Sequence, residues 1–316
     1  MITEFNDEAM EYGRVALRAL ESAGGDRLAQ LAEADPKQRE SLVGRTLADL
    51  GAWDLDPRGS AEEAEGAAAL CRSVGYWAVA YPVAERLCRP TDQKVDGLLV
   101  IDSTVPSAPV AGLPLRWIAV DLDGHRSIAI PRNAEIDPRK DGFVAILDLE
   151  PLDDAGATDV SIGLVLPCWT LLGMLDRAIE LTRDYILQRK QFGQPLATFQ
   201  GVQFQLTEAE VERVGLEELA KYALWSVETR RPEALDDALA LRMAALRAAE
   251  IVFRVAHQLH GAMGFCDETT ISWVSRVSVP LRRLPFGLAA TRAQLTRRIG
   301  ARGLTGLFAP DPTEAA

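Results

Sequence analysis

Residues 188–200 read QRKQFGQPLATFQ, and their reading decides the architecture. A helical pattern runs into this stretch from about Leu171 to Lys190, and another leaves it from Phe199 to about Glu228. Phe192-Gly193 ends the first helix, because glycine takes the positive φ that reverses a chain. Arg189 therefore projects from a last helical turn beside a reversal. There its guanidinium forms a bidentate clamp on a phosphate or carboxylate, with Phe192 free to lie against a planar ring. The alternative is structural: Arg189 complements the negative helix C-terminus while Phe192 plugs the bundle.

Two further helical patterns follow, from Glu233 to about Leu259 and from Ala289 to about Ala301. Short connections between four such helices predict an antiparallel bundle over residues 153–306. Glu208, Glu210, Glu212, Glu217 and Glu218 alternate with Val211, Val214, Leu216 and Leu219, the pattern of a bundle helix with one wet face.

Residues 1–90 are also helical. One helix from about Asp7 ends at Gly24-Gly25, and Pro36 opens a second whose face is Leu42, Val43, Leu47 and Leu50. SAEE, Ser60 to Glu63, has capping-box spacing for a third, with Gly75 as its breaker. The region between, 91–152, is different. WIAVDLDGHRSIAI carries a hairpin signal at Asp123-Gly124, FVAILDLEPL reads as another strand, and seven prolines from Pro90 to Pro151 mark loops and edges. The expected fold is mainly α with a small β domain of four or five strands. The tail, 307–316, is expected to be disordered.

Composition narrows the function. The 316 residues are 48% hydrophobic and 25% charged, a soluble globular profile. A net charge of −12 excludes a phosphate-tracking nucleic-acid binder. The apolar run from Ile162 to Leu175 is short for a membrane span and contains Pro167. Cys71, Cys88, Cys168 and Cys266 form no CxxC pair, which fits buried thiols in a reducing cytoplasm.

Three stretches carry chemistry. The first contains Arg189. The second, HQLHGAMGFCDET at 257–269, ends a helix in Gly261, Ala262 and Gly264, where backbone approaches a ligand closely, and Gln258 offers donor and acceptor. His257, His260 and Cys266 lack a fourth ligand and a recognised zinc spacing, so no metal is expected. The third, RRLPFGLAATRAQLTRR at 282–298, leads into Arg302 and suits a solvated face, an acidic partner or coenzyme phosphates. No GxGxxG, Walker loop or GxSxG occurs.

Together these stretches resemble the acyl-CoA dehydrogenase family. YILQRKQFGQPLATFQGVQFQLTEAE, Tyr185 to Glu210, is similar to its Arg-x-x-Phe-Gly…Phe-Gln segment, and QLHGAMGF, Gln258 to Phe265, to its Gln-x-x-Gly-Gly-x-Gly-Phe. LGAWDL near Leu50 resembles a helix end of its first domain. The resemblance implies a helical domain, a middle β domain and a C-terminal four-helix bundle, with FAD gripped by two chains. It implies that Arg189 reaches the neighbour's pyrophosphate, that Phe192 lies along the neighbour's cofactor, and that Gln258, Gly261 and Ala262 meet its adenosine-diphosphate part. Ala262 replaces the motif's second glycine.

Two departures stand out. The Thr-Glu-Pro…Gly-Ser-Asp stretch that touches a chain's own flavin is missing, since 94–110 reads KVDGLLVIDSTVPSAPV. The usual glutamate before a glycine is Phe286, and the alternative base position is Gly163, with Asp159 the nearest acid. The chain thus resembles short subunits of actinobacterial heteromeric members. That implies an α2β2 complex with a longer paralogous subunit, an acyl-CoA substrate of steroid-like type and an external acceptor such as an electron-transfer flavoprotein. The competing readings are a non-enzymatic scaffold and an active homomer with a displaced base.

Overall fold

The computed structural model describes residues 2–132 and 143–303; the expected tail at 307–316 lies outside them. Helices come first: α1 (Asp7–Ser22), α2 (Asp26–Ala34), α3 (Arg45–Asp49), α4 (Ala61–Tyr76) and α5 (Val83–Leu87). Asn6 caps α1, accepting from the Ala9 N–H at 2.8 Å, and Ser60 caps α4, accepting from the Glu63 N–H at 3.2 Å. The helix expected from Pro36 is broken into a 3₁₀ turn (Pro36–Gln38), a π turn (Glu40–Gly44) and α3, and α2 precedes it unanticipated. Gly51 does end this region, at φ 71°.

A five-stranded sheet follows, in the order β1-β3-β4-β5-β2, from β1 (Gly97–Val100), β2 (Ser107–Ala108), β3 (Trp117–Val120), β4 (His125–Pro131) and β5 (Ala145–Ala155). β3 and β4 form the expected hairpin, pairing antiparallel with Val120 opposite Arg126, whereas β1 runs parallel to β3. β3 is buried throughout, and the start of β5 alternates buried Ala145 and Leu147 with exposed Ile146 and Asp148.

The C-terminal helices are α6 (Ala157–Gln188), α7 (Gln200–Glu228), α8 (Ala234–His260), α9 (Thr270–Arg283) and α10 (Leu288–Arg302). Between α6 and α7 lies a small hairpin, β6 (Lys190–Gln191) and β7 (Gln194–Pro195). The C-terminal ends of α6 and α8 share a groove with the start of α7, while the starts of α6 and α8 share another with the ends of α7 and α10. This is the up-and-down order of an antiparallel bundle.

α6 is longer than its pattern suggested. It begins at Ala157, and Pro167 sits inside it, at the sacrifice of one main-chain hydrogen bond. Its mean hydropathy reaches 1.5 over an 18-residue window, as in a membrane span, but 83% of that window is buried by the rest of the chain. It is the core helix. α9 was not among the expected helices, and it carries Pro280 within it.

The crossing of α4 and α6 gives Gly75 a second role beside the helix end, which falls one residue later at Tyr76. A Cβ on Gly75 would come 1.9 Å from the Thr170 carbonyl oxygen, and one on Gly173 would come 1.9 Å from that of Arg72. The two backbones touch through paired glycines. Around the contact, Arg72 bridges Asp176 at 2.6 Å and Glu217 at 2.8 Å, tying α4 to α6 and α7. Gly173→Ala is expected to destabilise the fold by about 3 kcal/mol or more, since the helices must separate to admit a methyl group; urea unfolding measures it.

Candidate functional site

α6 ends where the Arg189 N–H bonds the Tyr185 carbonyl at 2.8 Å, and the Leu196 N–H returns to the Arg189 carbonyl at 2.8 Å. The two-residue turn between β6 and β7 places Phe192 at φ 51° and Gly193 at φ 81°, both left-handed, as a type I′ hairpin requires. A phenylalanine there is strained. It is also 92% exposed, its ring edge-on to Phe199 with centroids 6.2 Å apart. Phe192 therefore does not plug the bundle.

The Arg189 guanidinium is exposed and makes no ion pair or hydrogen bond among the described residues. It lines a groove of about 550 Å³ together with Gln258, Gly261 and Ala262. Residues some seventy positions apart thus converge because α6 and α8 end on the same side. The groove lies within the roughly 300–1,000 Å³ of ordinary ligand sites. Gly261 closes α8 at φ 60°, and a Cβ on it would meet nothing within 4 Å, so backbone lies open to a ligand. The exposed Gln258 amide has no hydrogen-bond partner among the described residues. Phe192 stands at the hairpin tip outside the groove lining.

The groove floor is apolar and neutral. Tyr185 stacks on His260 with centroids 4.4 Å apart. Burial lowers the pKa of His260, whose Nδ1 bonds the Ala256 carbonyl at 2.8 Å. His257 is also lowered by burial, stacks on Phe265 and bonds Ser275 Oγ at 2.9 Å. Both imidazoles thus have protein partners of their own. Cys266 is half-buried, unlike the buried Cys71, Cys88 and Cys168, which corrects the reading of all four as core thiols. Among the described residues, the one group within metal-binding distance is Asp121, Asp123 and His125, whose atoms instead close their own turn.

The residues considered for a base are placed quite differently. Asp159 is 2% exposed and accepts from Arg58 at 2.8 Å and from Arg126 Nε at 2.9 Å and Nη2 at 2.5 Å. It pins the start of α6 to β4 and is no free base. Gly163 faces the sheet, where a Cβ would lie 2.5 Å from Val100 Cγ2. Phe286 is 7% exposed, and its carbonyl accepts from Arg242 Nη2 at 2.7 Å. The chamber that Gly163 shares with Leu284 and Pro285 encloses about 30 Å³, far below a substrate's needs. The stretch at 94–110 is β1, a turn in which Thr104 N–H bonds Asp102 at 2.9 Å, and β2.

Arg242, not anticipated as a site residue, holds the turn before α10. It is 2% exposed, and its guanidinium donates to the carbonyls of Leu281, Leu284 and Phe286. Its signal was visible as a charge on the apolar face that contains Leu239, Leu246 and Phe253. At the far end of the bundle, Arg58, Arg230, Arg231, Arg298 and Arg302 line a basic groove of about 690 Å³. Arg298 pairs with Asp236, and Arg292 stays exposed.

The architecture is that of helices, a sheet and a bundle, with a nucleotide-sized groove at the bundle end. Residues 164–296 match the family described as "Acyl-CoA dehydrogenase, C-terminal domain". Over these helices the chain is similar to the acyl-CoA dehydrogenase family. It is 34% identical over 151 residues to acyl-CoA dehydrogenase FadE28 of Mycobacterium tuberculosis, covering 46% of this chain and 44% of that protein. The chain thus matches under half the length of that relative. Among solved structures, the ChsE4-ChsE5 complex from Mycobacterium tuberculosis has the same fold, with a TM-score of 0.76 at 15% identity over 96% of this chain and 100% of that one. A variant of the Tcur3481-Tcur3483 steroid ACAD has a TM-score of 0.75 at 18% identity, over 93% and 98%.

Two substitutions test the geometry. Phe192→Gly is expected to raise unfolding stability by about 0.5–1 kcal/mol, because relief of the left-handed strain exceeds glycine's entropy cost. Arg242→Met, which leaves buried carbonyls unpaired, is expected to lower it by roughly 2–4 kcal/mol. Chemical denaturation reads both.

Proposed function

We propose that this chain is the non-catalytic subunit of a heteromeric, FAD-dependent acyl-CoA dehydrogenase, assembled as α2β2 with a longer paralogous subunit. One contrast carries the reading. The groove of Arg189, Gln258, Gly261 and Ala262 is open, and the Arg189 and Gln258 side chains lack partners among the described residues, whereas the two base positions hold a buried Phe286 and a Gly163 pressed against Val100.

The residues fit half of a flavin site. An unpaired guanidinium suits a pyrophosphate, which it grips through charge-assisted hydrogen bonds. The positive-φ backbone at Gly261 admits an adenosine-diphosphate moiety without a side chain in the way. The exposed Phe192 ring reaches outward to a neighbour. Nothing at 94–110 forms the other half, so the cofactor's own-side cradle belongs to the partner. When bound, FAD supplies the acceptor for the hydride leaving the acyl β-carbon. Removal of the α-proton needs a positioned carboxylate, worth roughly 10²–10⁴ in rate, and this too falls to the partner.

The exposed apolar side chains Phe204 and Val211 on α7, with Phe265 nearby in sequence to the groove, provide the surface for assembly. A steroid-derived CoA thioester is the proposed substrate, supported by the steroid ACAD among the structural neighbours. An external acceptor such as an electron-transfer flavoprotein reoxidises the complex.

Co-expression with an adjacent-gene paralogue tests the assignment. The pair is expected to purify together, yellow and active, and Arg189→Ala in this chain to weaken FAD retention roughly ten- to hundred-fold, the worth of a charged hydrogen bond. Unchanged FAD content in that variant sinks the trans-clamp. A yellow, active homotetramer of this chain alone sinks the subunit assignment, and a stable colourless pair supports the scaffold reading instead.

A further inference from the structure

Between α5, α6 and α9 lies a second chamber of about 50 Å³, separate from the Arg189 groove. Its lining is largely apolar, including Met174, Pro280 and Leu281, yet Arg39 and Glu85 both open onto it. Arg39 is 1% exposed and has no carboxylate partner. Its Nη1 donates to the Ala80 carbonyl at 2.8 Å, Nη2 donates to the Ala111 carbonyl, and its plane lies 4.0 Å over the Phe143 ring. Its Nε–H is buried with no acceptor in the protein. Glu85 has no ion pair among the described residues, and its carboxyl is bonded only to its own backbone N–H.

A buried donor without an acceptor calls for an explanation, and one that opens onto a chamber has room for a partner there. An arginine whose other bonds are to neutral carbonyls keeps its full positive charge for that molecule. Burial also raises the Glu85 carboxyl to about 7 and lowers Arg39 to about 10, each disfavouring its charged form. Below about pH 7 Glu85 is therefore mainly a neutral donor, and the chamber's uncompensated charge is positive.

We propose that this chamber binds a short carboxylate, with the Arg39 Nε–H and the Glu85 carboxyl as its head-group contacts and the apolar wall around its chain. About 50 Å³ holds roughly three to five water-sized spheres, the scale of acetate or propionate. The site is independent of the proposed flavin clamp and requires no catalysis by this chain.

The other ionisable groups around Glu85 are Tyr81 and Cys88, both raised by burial out of the neutral range, Cys71, likewise raised, Arg242, and the Arg276–Glu33 pair. Glu85 is the group that changes charge near neutrality, so carboxylate affinity falls as pH rises through about 7.

Ligand-observed NMR titration of the purified protein with propionate, propanol and propionamide tests this. Propionate is expected to bind saturably and more tightly than either neutral analogue. Its affinity is expected to fall roughly ten-fold or more between about pH 6 and about pH 8.5, while Glu85→Gln keeps the affinity and flattens the profile. Arg39→Lys, with its fold checked by circular dichroism, is expected to lose binding; should it fail to fold, the Glu85→Gln profile decides. Equal binding of propanol, no saturation at millimolar propionate, or a pH dependence that survives Glu85→Gln overturns the proposal.

Discussion

The close contact of α4 with α6 sets the frame for everything else. Gly75 and Gly173 each face the other helix's carbonyl oxygen at a distance no side chain tolerates. Helix axes brought that near leave no room for slippage, and the Arg72–Asp176–Glu217 network locks the rotation that remains. With α6 held as a rod, its two ends have fixed roles.

At the start of α6, two guanidinium groups hold Asp159, Gly163 presses on Val100, and Arg242 braces the turn that contains Phe286. Each contact removes a polar group from availability or fills space. At the far end the Arg189 and Gln258 side chains have no partner among the described residues, Gly261 leaves open space beside its backbone, and Phe192 is kept exposed at a cost in backbone strain. Strain of this kind persists only when the surrounding structure over-determines it.

Much of the fold could be read from pattern. Caps at Asn6 and Ser60, the Asp123-Gly124 hairpin and the heptad-like faces of α7 and α8 are local devices, and each acts within a few residues. The errors have a common cause. The first turns of α6 and all of α9, where Pro167 and Pro280 lie, are not legible as helix, because propensity describes an isolated segment. In the folded chain, the crossing requires glycine at 75, and the surrounding core keeps α6 and α9 helical through their prolines.

The site divides along the same line. Arg189, Phe192, Gln258, Gly261 and Ala262 could be singled out by residue type and spacing, since a cation at a reversal and glycines at a helix end are local features. That four of them share one groove depends on α6 and α8 ending side by side. The fate of Asp159, buried between Arg58 and Arg126, and the convergence of Arg39 with Glu85 were invisible in the chain. Which carboxylate is neutralised and which is left alone is settled by long-range packing, because electrostatic partners are neighbours in space and seldom in sequence.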